Sequence, residues 1–294
     1  MADAATTRAP VAVSATKRML ASFAKVWLQP AALIGTVVFL LVALVGVLAP
    51  YVAPFEPGAL AMRNRFAPPG GENFFGTDHL GRDLLSRVIH GARISMYVGA
   101  MVTLIACTGG IVVGMLGGYN KRFGNVLMRL VDGLLALPGI ILALALIAVF
   151  GANITNVILA LGFVFIPRVA RIVHSVVLDL KGRDFVSAAV ALGSSDARII
   201  MRHLLPNAFG PVVVQASFIF ANAVISEAGL SFLGVGVPAG TPTWGSILSE
   251  GRLYMQNAPW ITLFPGLAIF VTVLSLNIVG DAIRDQLDPR MRGS

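Results

Sequence analysis

Residues Asp184–Pro206 have the sequence DFVSAAVALGSSDARIIMRHLLP and separate two long apolar runs in the second half of the chain. Apolar side chains recur at a spacing of three to four on both sides of Gly193, which predicts two short helices. Gly193 is typical of a helix C-terminus, and Ser194 or Ser195 of the N-cap of a new helix. Pro206 predicts a stop. We therefore expect a helix–turn–helix; an ordinary loop at a membrane surface is the alternative.

The composition is that of a membrane protein. Of 294 residues, 56% are hydrophobic and only 12% are charged, whereas soluble domains carry about 25% charge. The net charge of +8 is explained by basic cytoplasmic loops beside anionic lipid, and it does not require a nucleic-acid partner. The single cysteine, Cys107, excludes a disulfide within the chain and lies in an apolar run, where a small buried side chain is expected.

Six largely apolar stretches are predicted to cross a membrane, where about 20 apolar residues span roughly 30 Å of hydrocarbon. They cover residues 31–50, 94–120, two parts of 133–167 separated by the polar residues 151–156, 211–236 and 261–280. A cleaved signal peptide at 31–50 is disfavoured, because the apolar part exceeds the usual length of about 7–15 residues. The prediction is an all-α polytopic membrane protein with six transmembrane helices. The third is kinked at Pro138, and the fourth ends near Arg168 and Arg171.

The remaining segments give the orientation. They are a basic tail at residues 1–30, a polar loop at 51–92 and a charged tail at 282–294. With the N-terminus inside, 16 Lys and Arg side chains fall inside and 6 outside, so the positive-inside rule places both termini in the cytoplasm. The loop 51–92 is then extracytoplasmic, and its length predicts some fold of its own. The stretch at 184–206 faces the cytoplasm.

Ionisable residues inside the predicted spans are scarce, and such residues mark ion pathways by default. Glu227 is the one acid well inside an apolar run, and it lies about 24 Å along the fifth span at 1.5 Å per residue. Either it faces a transport pathway, or it is a helix-end acid at the outer headgroups or in a packing contact. No chain of acids or histidines crosses the membrane, which disfavours a proton-coupled pump.

Enzyme signatures are absent from the sequence. It contains no phosphate-binding loop G-x-x-x-x-G-K-[ST], no H-E-x-x-H and no G-x-S-x-G, so nothing in it indicates ATP binding, metalloprotease or esterase chemistry. The four histidines are scattered and suggest no metal-ligand set. We therefore expect a protein that is not an enzyme, with no catalytic residues, no metal and no cofactor of its own.

The stretch at 184–206 resembles the EAA signature of ABC importer permeases. In that signature E-A-A is followed after three residues by glycine and after nine more by I-x-L-P. The corresponding residues here are Ser187-Ala188-Ala189, Gly193 and His203-Leu204-Leu205-Pro206. Ser187 stands in place of the acid, and His203 in place of the isoleucine.

Further stretches resemble the dipeptide, oligopeptide and nickel importers within that family. They are FGTDHLGRDLLSR at 75–87, GARIS at 91–95, Asp132 with Leu137-Pro138, GLSFLGVG at 229–236, PTWG at 242–245 and a charged pattern at 280–290. Their order, and the long loop after the first span, resemble the C-type permease subunit. The resemblance covers about residues 75–290.

The resemblance implies a type I ABC importer permease fold, with a five-helix permease domain at 93–281 and the first span packed outside it. It also implies a heterodimer with a B-type permease at the cell inner membrane. Two cytoplasmic ATPase subunits would hold ATP and Mg, and an extracytoplasmic substrate-binding protein would deliver short peptides, with dipeptides favoured. Nickel or another small solute is the alternative substrate. An ATPase-independent secondary transporter, or a sensor that passes no substrate, are alternatives from other classes.

Within this resemblance, residues 184–206 couple the permease to the ATPases. The residues implied are Asp184, Ser187, Ala188, Ala189, Gly193, Arg202, His203, Leu205 and Pro206. Arg82, Asp83 and Arg87 are candidates for contact with the binding protein or the partner permease; alternatively, they form ion pairs that fold the outer loop. Peptide and membrane lipid are further expected partners, and nucleic acid is not.

Overall fold

The computed structural model describes residues 29–238 and 240–287, and this part of the chain is built of helices joined by short connections and by one long outer segment at 53–83. They are α1 (Pro30–Val47), α2 (Ala49–Val52), α3 (Leu84–Tyr119), α4 (Lys121–Leu135), α5 (Gly139–Phe150), α6 (Ile154–Lys181), α7 (Asp184–Ala191), α8 (Asp196–Ile199), α9 (Leu205–Phe232), α10 (Trp244–Gly251) and α11 (Trp260–Leu287). A π turn at Ile200–Leu204 joins α8 to α9. Most of the two predicted tails lies outside the described residues.

Five of these helical segments are long and apolar enough to cross a membrane, namely α1, α3, α6, α8 through α9, and α11. A sixth crossing is present if α4 and α5, which are bent by 92° relative to each other, count as one broken span. The break falls where Pro138 occupies the N-cap of α5, at the proline for which a kink was predicted. On this count the predicted all-α fold with six spans is confirmed.

The contact between α3 and α6 lies at the centre of the bundle, where glycines let the two helices approach closely. A Cβ atom added to Gly110 would lie 2.3 Å from the Cβ of Val169, and one added to Gly114 would lie 2.6 Å from the Cβ of Val173. Such distances are shorter than real Cβ contacts. The separation of the two helices therefore depends on glycine at these positions.

Two helix boundaries differ from the sequence predictions. α3 begins at Leu84, inside the loop predicted at 51–92, because Asp83 caps it: Oδ2 of Asp83 accepts a hydrogen bond of 2.8 Å from the backbone N–H of Ser86. α6 continues to Lys181, well beyond the two arginines that were expected to end the fourth span. In both cases the helix continues past the charged residue that was taken as the end of the predicted span.

The prediction that Pro206 stops a helix is wrong. Pro206 is the second residue of α9, and a proline is tolerated in a first turn, where its missing N–H is not needed. The π turn shifts the hydrogen-bond register just before it, with the N–H of Leu205 bonded to the carbonyl of Ile200. The segment Asp196–Phe232 is therefore continuous.

The outer segment at 53–83 packs on α10 and on the start of α11. The ring of Phe75 stacks on that of Phe264, with centroids 3.9 Å apart. Trp260 Nε1 donates a hydrogen bond of 3.1 Å to the backbone carbonyl of Thr77. Ring stacking and hydrogen bonds thus hold the outer segment against the helices, in keeping with the prediction that this long loop has some fold of its own.

Candidate functional site

The two arms predicted at 184–206 form a hairpin, which we call the coupling hairpin (residues 184–204). Its first arm is α7, and α7 ends in a Schellman motif. The N–H of Ser194 donates to the carbonyl of Ala189 at 3.0 Å, and the N–H of Gly193 donates to that of Val190 at 2.9 Å. Gly193 has φ +74°, a left-handed conformation that costs glycine nothing and strains other residues. The turn therefore requires glycine at this position.

The second arm starts directly after the turn. Ser195 has the extended backbone of an N-cap residue, with φ −65° and ψ 151°, but its side chain makes no capping hydrogen bond. From Asp196 the arm runs without interruption into the fifth span. A displacement of this arm is therefore a displacement of the end of a membrane helix.

The coupling hairpin has one face against the bundle and one face exposed. The inner face is apolar and buried, and consists of Val186, Ala189, Ile199 and Leu204. The outer face also carries large apolar side chains, namely Phe185, Val190, Leu192 and Met201, and Leu192 at the tip is 86% exposed. An exposed apolar patch at the polar end of a helix bundle marks an interaction site.

The structure divides the predicted coupling residues between these faces. Exposed are Asp184, Ser187, Ala188, Gly193, Arg202 and Pro206, whereas Ala189 is buried and His203 and Leu205 are half-buried. The His203 ring lies 6.1 Å from the Phe185 ring, so it links the two arms where the family signature has isoleucine. Contact of these residues with an ATPase stays a prediction.

Four charged side chains lie around the N-terminal end of α3, which is the end away from the coupling hairpin. We call them the outer ionic cluster: Asp78, Arg82, Arg87 and Glu250. Arg87 donates to Asp78 at 2.5 Å and to Glu250 at 2.7 and 3.0 Å. Arg82 donates to Asp78 at 2.6 Å and to Glu250 at 2.5 Å. Asp78 is 0% and Arg87 1% exposed. The cluster joins the outer segment, α3 and α10.

The arginines determine the charge state of the two acids. Burial raises the pKa of Asp78, but Arg87, Arg82 and two backbone N–H groups outweigh burial and hold this pKa below its ordinary value. The same holds for Glu250, where the hydrogen bond and charge of Arg87 and the charge of Arg82 outweigh burial and lower the pKa. Both carboxylates are therefore ionised at neutral pH, which completes the ion pairs.

Ligand atoms of Asp78, His79 and Glu250 lie within 4.8 Å of one another, a spacing that a metal ion could use. Both carboxylates already accept hydrogen bonds from guanidinium groups, however, and these positive charges oppose a cation. The geometry is that of an ion-pair cluster.

Arg82, Asp83 and Arg87 were predicted to contact a partner or to form ion pairs within the loop. All three are buried, and the two arginines belong to the outer ionic cluster. Asp83 caps α3 and accepts a hydrogen bond of 2.8 Å from Asn73 Nδ2. Contact with a partner stays a prediction, and all three side chains are already paired within the chain.

We expect Arg87→Met to lower the stability of the folded chain by about 3 kcal/mol, because removing one partner of a buried ion pair leaves a buried charge uncompensated. The measurement is the midpoint of unfolding of the purified protein in detergent. Arg63→Met is the matched control, since Arg63 is an exposed arginine of the same outer segment. Equal midpoints for the two variants would show that the cluster contributes nothing to stability.

Glu227 lies in a closed polar cluster. Its side chain is 0% exposed and accepts hydrogen bonds from Ser231 Oγ at 2.8 Å and Ser95 Oγ at 3.2 Å. Ser95 Oγ in turn accepts from the backbone N–H of Trp244 at 3.3 Å. This position fits the packing contact considered for Glu227 and gives its carboxylate no open surface within the chain. A pathway role stays a prediction.

Sequence reasoning missed three pairings of side chains at these sites. Glu250 is 163 positions from Arg87, and no local pattern signals such a pair. The pairing of Tyr119 with Asp196, the first residue of the hairpin's second arm, was likewise not predicted. Asp132, named above for the family resemblance, pairs with Arg171 on α6, and both side chains are exposed.

The fold and this site define a class: an all-helical membrane protein of several spans, with an exposed helical hairpin at one end of the bundle. The model of the family "binding-protein-dependent transport system inner membrane component" matches residues 110–293. The chain belongs to this family, the permease subunits of ABC importers.

Curated relatives and solved structures are similar to this chain over most of its length. A putative peptide transport system permease protein of Brucella suis is 46% identical over 259 residues, which cover 88% of each chain. The dipeptide transport system permease protein DppC of Alkalihalophilus pseudofirmus is 38% identical and covers 89% of this chain and 86% of its own. A structure of the MetNI methionine ABC transporter in inward-facing conformations matches with a TM-score of 0.58 at 18% identity, over 70% of this chain and 98% of that chain.

These similarities confirm the predicted family and the predicted fold. The protein is a multi-pass inner-membrane permease of an ATP-driven importer, and it is a transport subunit and not an enzyme, since in this family separate ATPase subunits perform the hydrolysis.

Proposed function

We propose that this chain is the C-type permease subunit of an importer of short peptides, with dipeptides as preferred substrates. The relatives support this, since both carry peptide-transport names and one is named for dipeptides. The partners are a B-type permease, two ATPase subunits that bind ATP and Mg, and an extracytoplasmic substrate-binding protein. The translocation path lies between the two permeases in the membrane.

The observation that carries the proposal is the exposed apolar face of the coupling hairpin. Phe185, Val190, Leu192 and Met201 lie on one short element that ends in a fixed turn. A partner surface that covers them gains free energy from their burial, and the Schellman turn presents them in one conformation. We assign this face to the groove of an ATPase subunit. Closure of the ATPase dimer on ATP then displaces the hairpin and, through the continuous second arm, the fifth span.

The orientation of the chain in the membrane follows from the distribution of Lys and Arg and from what lies at the two ends of α3. This helix has 36 residues, which corresponds to about 54 Å, and it separates the outer ionic cluster from the coupling hairpin. The excess of Lys and Arg on the hairpin side supports a cytoplasmic hairpin and cytoplasmic termini. The outer segment at 53–83, held rigid by its buried ion pairs, is then the surface that a binding protein meets.

Uptake by the reconstituted complex tests this function. We expect ATP-dependent accumulation of a labelled dipeptide in proteoliposomes that contain both permeases and both ATPases, with binding protein added outside. Unlabelled dipeptides should compete, and Ni²⁺ should not.

Two outcomes overturn the proposal. Uptake that persists with hydrolysis-defective ATPases identifies a secondary transporter. Accumulation of Ni²⁺ without accumulation of dipeptide identifies the alternative substrate class.

A further inference from the structure

The C-terminal end of α3 is bound to the base of the coupling hairpin. Lys181, the last residue of α6, donates from Nζ to the carbonyl of Tyr119 at 2.7 Å and to that of Gly118 at 3.4 Å. The same ammonium lies 5.0 Å from the centroid of the Tyr119 ring. A cation at the last carbonyls of a helix is favourable, because these carbonyls have no partner within the helix and carry the negative end of its dipole. Lys181 thereby fixes the position of Tyr119.

Tyr119 reaches from α3 to the second arm of the hairpin. Its hydroxyl donates a hydrogen bond of 2.5 Å to Oδ1 of Asp196. Asp196 is the first residue of α8 and follows the turn at Gly193 by three positions. Hydrogen bonds to an ionised acceptor are shorter and stronger than those between neutral groups. The bond therefore joins the tip of the hairpin to a helix that is far from it in sequence.

The contact between Tyr119 and Asp196 connects α3 to the coupling hairpin, which the polypeptide backbone does not do directly. The two arms of the hairpin continue covalently into α6 and α9, so their movement reaches those spans directly. α3 has no such continuity with the hairpin. Its other end carries Asp83, its N-cap, and Arg87, which belongs to the outer ionic cluster. Because α3 is one uninterrupted helix, a displacement at Tyr119 is carried to Arg87 and to the outer segment.

We propose that Tyr119 is a positioning residue for energy coupling, whose hydrogen bond to Asp196 makes α3 and the outer ionic cluster follow the coupling hairpin. This inference rests on the proposed function, in which the hairpin is the part moved by the ATPases. It adds a second route across the membrane, from the hairpin through α3 to the surface that faces the binding protein. By reciprocity of coupling, occupancy at the outer surface then affects hydrolysis through the same contact.

Tyr119→Phe tests the inference in the full reconstituted complex, because it removes the hydrogen-bond donor and keeps the ring beside Lys181. We expect normal assembly and unstimulated ATP hydrolysis within about twofold of the unmodified complex. Stimulation of hydrolysis by peptide-loaded binding protein should fall by about fivefold or more, the range typical of coupling between sites. Peptide uptake per ATP hydrolysed should fall in parallel.

Matched variants separate coupling from packing. Tyr97→Phe is the same substitution on the same helix, at an exposed tyrosine, and it should retain full stimulation. Asp196→Ala should reproduce the effect of Tyr119→Phe. Asp196→Asn keeps an oxygen that accepts the hydrogen bond and should retain most of the stimulation. The double variant Tyr119→Phe with Asp196→Ala should be no worse than either single variant, because all of them remove one interaction.

Each alternative result is decisive. If Tyr119→Phe keeps full stimulation while Gly193→Val abolishes it, the inference is overturned and the hairpin assignment stands. If both variants keep full stimulation, the proposed coupling function itself fails. If Tyr119→Phe lowers the yield of complex and every activity in proportion, with the stimulation ratio unchanged, the contact is only structural and the inference is again overturned.

Discussion

Gly193→Val is expected to abolish the link between ATP hydrolysis and peptide uptake. The φ of +74° at this residue lies in the left-handed region, where a β-branched side chain is a genuine outlier and an L-residue is penalised by roughly 1–2 kcal/mol. Apart from residue 193 itself and its two chain neighbours, no atom lies within 4 Å of a Cβ placed at this position. The substitution therefore acts on the backbone of the turn alone and leaves the packing of the bundle intact.

The measurement is ATP hydrolysis and peptide uptake by the complex, with and without loaded binding protein. We expect either poor association of the ATPase subunits or hydrolysis that no longer responds to substrate. Gly193→Asn is the matched control, because asparagine visits the left-handed region at low cost, and it should retain most of the coupling. Normal ATP-driven uptake by the valine variant would show that the geometry of the turn is irrelevant.

Gly114→Leu is expected to prevent formation of the native bundle. Even a Cβ atom at this position would lie 2.6 Å from the backbone carbonyl of Ala170 and 2.6 Å from the Cβ of Val173. Neither atom is the flexible end of a side chain, so α3 and α6 must separate. Overpacking of a closely packed contact costs typically about 1–3 kcal/mol and occasionally more, and the leucine adds three further carbons. The yield of monodisperse protein after extraction, and its unfolding midpoint, measure the effect.

Gly266→Leu provides the comparison for this prediction. Gly266 lies in the apolar span α11, and apart from its chain neighbours and the backbone of its own helix, no atom is within 4 Å of a Cβ at that position. The same substitution there should leave the yield and the unfolding midpoint of the isolated chain nearly unchanged. A Gly114→Leu protein as stable as the Gly266→Leu protein would mean that α3 and α6 are not held at the separation described above.

Local signals account for the parts of the fold that the sequence predicts well. The turn at Gly193 could be predicted because the Schellman motif requires a left-handed residue there, and glycine supplies it. The spans could be predicted because an apolar run of about 20 residues is typical of a membrane-spanning helix. Helix ends were less predictable, since charged residues such as Arg171 and Lys181 extend a helix into polar surroundings. Pro206 was misread because a proline is as compatible with a first turn as with a stop.

Non-local contacts account for what the sequence could not predict. The partner of Arg87 is Glu250, and the partner of Tyr119 is Asp196. In both pairs the residues come from different helices, and each partner alone is unremarkable in its own stretch of sequence. Glu227 was noticed as an acid in an apolar run, but its neighbours Ser95 and Ser231 decide that its carboxylate is enclosed, and only the packing of α3 against α9 brings Ser95 there.

Cross-linking from the tip of the coupling hairpin tests the central claim most directly. Leu192→Cys, in a chain with Cys107→Ala, places a thiol at a side chain that is 86% exposed. With a short bifunctional reagent in the assembled complex, we predict a cross-link to an ATPase subunit whose yield changes when ATP is bound. Leu253→Cys, at an outer residue that is 77% exposed, should give no cross-link to the ATPase. A cross-link to the ATPase from position 253, or none from position 192, would contradict the account.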